Sequence, residues 1–406
     1  MTMRSELPRD FWFFLASRFC AGTAMTMLRA AIAWHVFDLS RSAFHLGLIG
    51  LVQFGPALGL MLVGGAVADS YDRRKIIMTA QAVALATAVA LVAATERGLA
   101  SLPLLYGTVL LVAVTAAFDN PARAALLPTL VTRAVFPRAV TIASTNQALA
   151  FITGPAVGGL LIAAAGVTAA YAAYAGLIAA SITGFALLRL RPHEGARAAV
   201  SLHAIREGLR FVRRQRLVLG CMTLDMFAVI FGGATALLPI YANEILHVGA
   251  RGYGLLTSSL EIGALLTSLV LMVVPPIRQA GRALLIAVAG FGVATIVFGL
   301  SRSFALSVLA YMAAGVADQI SVVMRSTAVQ LSTPDELRGR VSSVNFLFIG
   351  ASNQLGAVES GFVAALTSAT FSVVSGGVGC LVVLAIVALA IPELRRYRIG
   401  GPRAAA

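Results

Sequence analysis

The chain has 406 residues, 59% hydrophobic and only 12% charged, with a formal net charge of +14. Soluble domains carry about 25% charged residues, so most of this surface must face something other than water. Cys20, Cys221 and Cys380 lie far apart in apolar runs, which gives neither a disulfide framework nor a metal spacing.

Apolar stretches of about 20 residues recur along the chain, the length that crosses ~30 Å of hydrocarbon. The first runs over residues 11–37, too long for a signal peptide and so read as a retained helix. Its opening Phe11-Trp12-Phe13-Phe14 suits an aromatic belt at the membrane interface. The second covers 44–68 and ends in a turn where Asp69, Asp72, Arg73, Arg74 and Lys75, the only lysine, are crowded together. Spans three and four are expected at 76–95 and 102–118, with Asp119-Asn120-Pro121 stopping the latter because proline cannot continue a helix. A basic connection, Arg123 to Arg138, leads to spans five and six at 140–165 and 169–190.

Residues 191–200 are polar and hold Pro192 and Gly195, the best linker in the chain. Leu202, Ile205, Leu209 and Val212 then follow at helical spacing, with Arg206, Arg210, Arg213 and Arg214 off that stripe. This pattern predicts an amphipathic helix on the inner leaflet, with a solvated linker helix as the alternative. Six further spans are expected at 217–243, 253–274, 283–300, 304–324, 341–366 and 371–391. The fold class is therefore an all-α polytopic membrane protein of twelve helices in two six-helix bundles. Its domains are residues 1–190 and 217–406, joined by the linker 191–216.

The positions of the charges explain the basic excess. Most of the 31 lysines and arginines fall in alternate connections, whereas the opposite set holds only Arg41, Arg97, Arg251 and Arg302. By the positive-inside rule both termini are cytoplasmic. The charge is a topology signal, and no nucleic-acid partner is implied. Arg123–Leu130 and Arg325–Ser332 precede the fifth helix of each half in the same way, a weak trace of duplication of the kind seen in transporters.

Ionisable residues deep in a membrane are functional candidates by default. A rise of ~1.5 Å per residue puts Arg18 about 10 Å from the inner face, Asp225 about 12 Å from it and Glu261 about 12 Å from the outer face. Arg18 and Asp225 occupy comparable places in the first helix of each half, which suggests a conformation-dependent pair facing one central cavity. Asn353 and Glu359 lie further along helix eleven, and Arg29 and His35 near the outer end of helix one suit snorkelling. Asp225 or Glu261 is the expected proton carrier, since a carboxyl in apolar surroundings is cheaper neutral than charged. Permanent structural pairing is the competing reading for each acid.

Gly65-x-x-x-Asp69-x-x-x-Arg73-Arg74 resembles the loop signature of the major facilitator superfamily, with Asp72 in place of the usual glycine. Gly154-Pro155-x-x-Gly158-Gly159 is similar to the core of the helix-five signature of its proton-coupled exporters, without the upstream glycines. Leu15-Ala16-Ser17-Arg18-Phe19, Glu207-Gly208-Leu209-Arg210-Phe211 and Pro334-Asp335-Glu336-Leu337-Arg338-Gly339-Arg340-Val341 look like the enterobactin-exporter branch. The resemblance implies that Asp69 latches onto the start of helix eleven near Gly339-Arg340-Val341 when the cytoplasmic side is closed. It also implies a bacterial inner-membrane carrier that exports a siderophore or hydrophobic drug by alternating access.

No phosphate-cradling Gly-x-x-x-x-Gly-Lys-Ser/Thr loop is present, which argues against an ATP-driven pump. No nucleophile–base motif suggests an enzyme. The expected partners are a small-molecule cargo, protons and membrane lipid, acting on a monomer without cofactor or metal. A metabolite importer of the same fold and a non-transporting scaffold or sensor are the rival readings.

Overall fold

A computed structural model of the chain describes residues 7–188, 202–275 and 277–399, without the side chains at 57, 58, 61–63, 65, 66, 68, 69 and 202–205. All regular structure among the described residues is helical. The first half contains α1 (Arg9–Ser40), α2 (Ala43–Ser70), α3 (Arg73–Glu96), α4 (Leu102–Leu130) and α5 (Phe136–Ala186). A short α6 (Leu202–Arg214) leads into α7 (Arg216–Phe231) and α8 (Leu238–Ile240). Then follow α9 (Gly249–Val273), α10 (Ala280–Leu300), α11 (Phe304–Leu331), α12 (Arg338–Leu366), α13 (Ala369–Ala390) and α14 (Pro392–Arg396).

Nine helices among the described residues are long and apolar enough to cross a membrane. The 51 residues of α5 contain two expected spans, parted where Ala165 and Gly166 leave helical geometry with φ of −144° and +76°. The 29-residue α12 is not among the nine; Asn345, Asn353, Gln354 and Glu359 interrupt its apolar run. The count by apolarity therefore stops short of the expected twelve.

Helix four does not stop at Pro121. α4 runs on through Pro121 and Pro128 to Leu130. Proline removes the donor to the carbonyl four residues back, here Ala117, and that carbonyl lies against Gly64 of α2, where there is no Cβ to obstruct it. Arg123, expected in a connection, is thus inside a helix and buried. Helix seven departs the other way: α7 breaks at Gly232-Gly233, resumes as a 3-10 turn over Ala234–Leu237 and closes with a π turn over Tyr241–Ile245. The aromatic belt is half core, since Phe11 and Phe14 are fully buried while Trp12 is exposed.

The chain divides into two compact units. The first comprises Met1–Arg41, Gly55–Val200 and Val248–Ser258. Its core joins Phe11 and Phe14 to Ile77, Leu126, Leu127, Ala139 and Phe185. Val248–Ser258, from the far half of the sequence, is fastened into this unit: Tyr253 donates to the Ala30 carbonyl and Ser258 to that of Ile152. The second unit comprises Ser42–Phe54, Ser201–His247 and Ser259–Ala406. Its core gathers Val218, Leu284, Val288, Met324, Val341 and Val387. The first turns of α2 belong here, with Gly47 against Gly361 and the Phe44 ring 4.9 Å from that of Phe362. The boundary within α2 falls at Gly55-Pro56.

Contacts with α12 hold α6. Gly208 packs on the Arg340 carbonyl, Val212 is buried, and Glu207 pairs with Arg340 at 2.6 Å. Residues 189–201, which carry the expected linker, lie outside the described residues.

Candidate functional site

Each unit buries a charge cluster. In the first, Arg123 Nε bonds Asp119 Oδ2 at 2.7 Å, one helical turn apart on α4. The guanidinium reaches Ser17 Oγ of α1 at 3.4 Å and stacks over Phe185 at 5.7 Å. Ser17 and Ser181 exchange hydrogen bonds to each other's carbonyls, both at 2.9 Å, which fixes α1 against the last turns of α5. Arg18 points to a neutral partner, donating to Gln147 Oε1 at 2.6 Å, within electrostatic reach of Asp119 and Arg123. This cluster holds two arginines and one carboxylate.

The second unit reverses the balance. Asp225 of α7 is 7% exposed and forms an ion pair with Arg325 of α11, itself 3% exposed. Asp318, two turns back along α11, lies within electrostatic reach of Asp225, Arg325 and Glu261 of α9. Neither Asp318 nor Glu261 has an ion-pair partner among the described residues. Tyr311 shares a 2.6 Å hydrogen bond with Thr235, in the interrupted stretch after α7. Broken helices in transporters free backbone groups for cargo and coupling ions. Asp225 takes the arginine, and Asp318 and Glu261 lie within reach of each other with no ion-pair partner among the described residues.

The expected residues are only partly gathered. Arg18 and Asp225 each take a partner inside their own unit. Asn353 is exposed and bonds the Ile349 carbonyl of its own helix, while Glu359 accepts from Ser360 Oγ at 3.3 Å. His35 does not snorkel: it is buried, with Nδ1 2.9 Å from the Tyr171 hydroxyl. Sequence reasoning missed Asp119 with Arg123, although their spacing of four on one helix face was the available signal.

Of the gating motif, Gly65 and Asp69 lie outside the described side chains. Arg73 donates to the Ala125 carbonyl and Arg74 to that of Ala186, each at a helix's C-terminal part, where cations are favoured. Asp72 replaces a glycine usefully, capping α3 by accepting from Arg74 N at 2.9 Å. In the exporter-like motif, a Cβ on Gly154 would sit 2.6 Å from the Thr23 carbonyl, so only glycine allows α1 this close. Gly159 meets Gly254 in the same way, and the Pro155 carbonyl also faces Gly254. Gly158 lies over Met27.

Membrane-length helices with charges paired among them are those of a multi-pass membrane protein, and the family match makes it a transporter of the major facilitator type. The chain belongs to the transmembrane secretion effector family, whose model matches residues 4–398. It is similar to the enterobactin exporter EntS of Escherichia coli O81 (strain ED1a), 26% identical over 397 residues, covering 97% of this chain and 94% of the relative. The EntS of Escherichia fergusonii matches at the same identity and coverage. Among solved structures, a bacterial homologue of the human lysosomal transporter Spinster, inward-facing and occupied, has a TM-score of 0.76 at 15% identity. It covers 98% of this chain and 100% of that one. The nucleoside transporter NupG has a TM-score of 0.72 at 13% identity, covering 96% and 100%. These two show the fold alone.

Proposed function

We propose that the protein exports a small amphipathic molecule from the cytoplasm by alternating access, driven by proton entry. The observation that carries this reading is the group in which Asp225 pairs with Arg325 while Asp318 lies within reach of both and of Glu261. Asp225 is committed to Arg325, so the coupling protons are assigned to Glu261 and Asp318. A carboxyl with no countercharge in an apolar setting is cheaper neutral than charged. It can therefore take a proton on one side of the membrane and release it on the other. Arg18, held only by an amide, is assigned to cargo contact. The likeness to enterobactin exporters supports a siderophore-like cargo, with hydrophobic drugs as the wider class. The stretch Gly65–Arg74 is proposed as a latch on cycling, on the motif alone, and residues 1–190 and 217–406 as the bodies that rock.

The test is flux of catecholate siderophores and amphipathic dyes into inverted vesicles with an imposed proton gradient. Glu261→Gln and Asp318→Asn are expected to abolish gradient-driven accumulation while leaving passive exchange of cargo in place. Undiminished accumulation in both variants would refute the proton assignment. Accumulation only in right-side-out vesicles would make the protein an importer, and no cargo-dependent flux at all would favour a scaffold or sensor.

A further inference from the structure

At one end of the second unit, a cavity of about 560 Å³ is lined by Gln279, Arg282, Arg395, Arg396, Tyr397 and Arg398. Four guanidiniums surround it, all on exposed residues, and no carboxylate is among the lining groups. The nearest acid in sequence, Glu393, is turned to Arg216 at 3.5 Å. Arg282 has one neutral partner, the Gln279 side-chain oxygen at 3.3 Å.

The cavity is built rather than incidental. Chain ends usually fray unless tied down, and this segment is tied on both sides of the start of α10. Gly281 N donates to the Tyr397 carbonyl at 3.2 Å, and Ile399 N donates to that of Arg278 at 2.9 Å. Leu394 is fully buried, and its carbonyl lies where a Cβ on residue 281 would stand. Glycine at 281 is what lets the strap close. The fastened backbone holds Arg395, Arg396 and Arg398 together with Arg282, although like charges at this density repel. The N-terminal turn of α10, capped in part by the Tyr397 carbonyl, adds a weaker positive field.

We propose that this cavity binds a phosphate-bearing anion. Guanidiniums bind phosphate oxygens bidentately, and Tyr397 and Gln279 supply neutral donors. The anion then supplies the countercharge that the protein omits. The same chemistry is offered by the headgroup of an anionic lipid and by a soluble phosphate. The proposal does not depend on the transport cycle.

Two arms test it on the full chain. In one, the protein in bilayers of phosphatidylcholine with phosphatidylglycerol is released into native mass spectrometry and retained lipid is counted. In the other, pyrophosphate is titrated calorimetrically into detergent-solubilised protein. Wild type is expected to bind in at least one arm, and that arm identifies the source. Arg395→Gln with Arg396→Gln should weaken that binding roughly tenfold or more, the worth of a charged hydrogen bond. Gly281→Ala should weaken it comparably with every arginine still present, because the strap is displaced. Arg210→Gln with Arg213→Gln removes the same charge from α6 and should leave binding unchanged. Absence of binding in both arms overturns the proposal. So does undiminished binding by Gly281→Ala, or an equal loss in the α6 control, since either would reduce the site to diffuse surface charge.

Discussion

Arg123 and Arg325 sit at corresponding places in the two halves, and both are buried. Each guanidinium is directed at the first helix of its own half, Arg123 at Ser17 and Arg325 at Asp225. The countercharge differs: Asp119 on the same helix in one unit, Asp225 across the bundle in the other. A buried pair contributes little net stability when whole, but removing one partner strands the other charge, at about 3–5 kcal/mol. Arg325→Ala is therefore expected to destabilise the protein by roughly that amount. Asp225→Ala together with Arg325→Ala should recover most of the loss, measured by denaturing-detergent titration of the purified protein. Additive losses in the double variant would show that the two residues do not act as a pair. The need for Arg123 to be paired could be inferred from its setting only once it was known to be in a helix. Sequence placed Arg123 in a connection because arginine and proline recur in that stretch.

Spans are legible in sequence because hydrocarbon thickness imposes a length and a composition together. Helix ends are less so, since a stop signal can be overruled by a neighbour that accommodates it. Pro121 is the example: its cost falls on the Ala117 carbonyl, and Gly64 makes room there. Nothing local to Asp119-Asn120-Pro121 encodes that. The break within α5 shows the opposite case, an interruption set by one residue. Gly166 has φ of +76° and ψ of 177°, a region closed to side chains, and a Cβ there would meet nothing within 4 Å. Gly166→Ala should thus cost about 1–3 kcal/mol of pure backbone strain, read as a lowered midpoint in the same detergent titration. Loss of a much larger amount would mean that residue 166 also makes contacts, against the open space seen around it. The close approaches at Gly154 and at Gly159 with Gly254 were visible as a motif, but their partners on α1 and α9 were not, because facing depends on tertiary packing.

For the whole molecule, the basic residues carry information that survives the corrections to individual helices. Moving Arg123 and Arg325 from connections into helices removes two cations from the side expected to be inside. Among those it leaves there are Arg9, Arg73, Arg74, Lys75, Arg133, Arg138, Arg206, Arg210, Arg213, Arg214, Arg216, Arg278, Arg282, Arg338, Arg340, Arg395, Arg396 and Arg398. Against them stand Arg41, Arg97, Arg251 and Arg302. Anchoring of cations by the inner leaflet acts on short connections near helix ends, and nearly all of these qualify. We therefore propose an orientation with both termini in the cytoplasm and the turn between α3 and α4 outside. Alkaline phosphatase is active only after export and green fluorescent protein only when it folds inside, so paired fusions read the side directly. Fusions at the C-terminus should be fluorescent and phosphatase-negative, and fusions after Gly98 the reverse. A phosphatase-positive C-terminus would invert the molecule and place the arginine-lined cavity outside. It would also turn the proposed exporter into a carrier whose Glu261 and Asp318 face the opposite gradient.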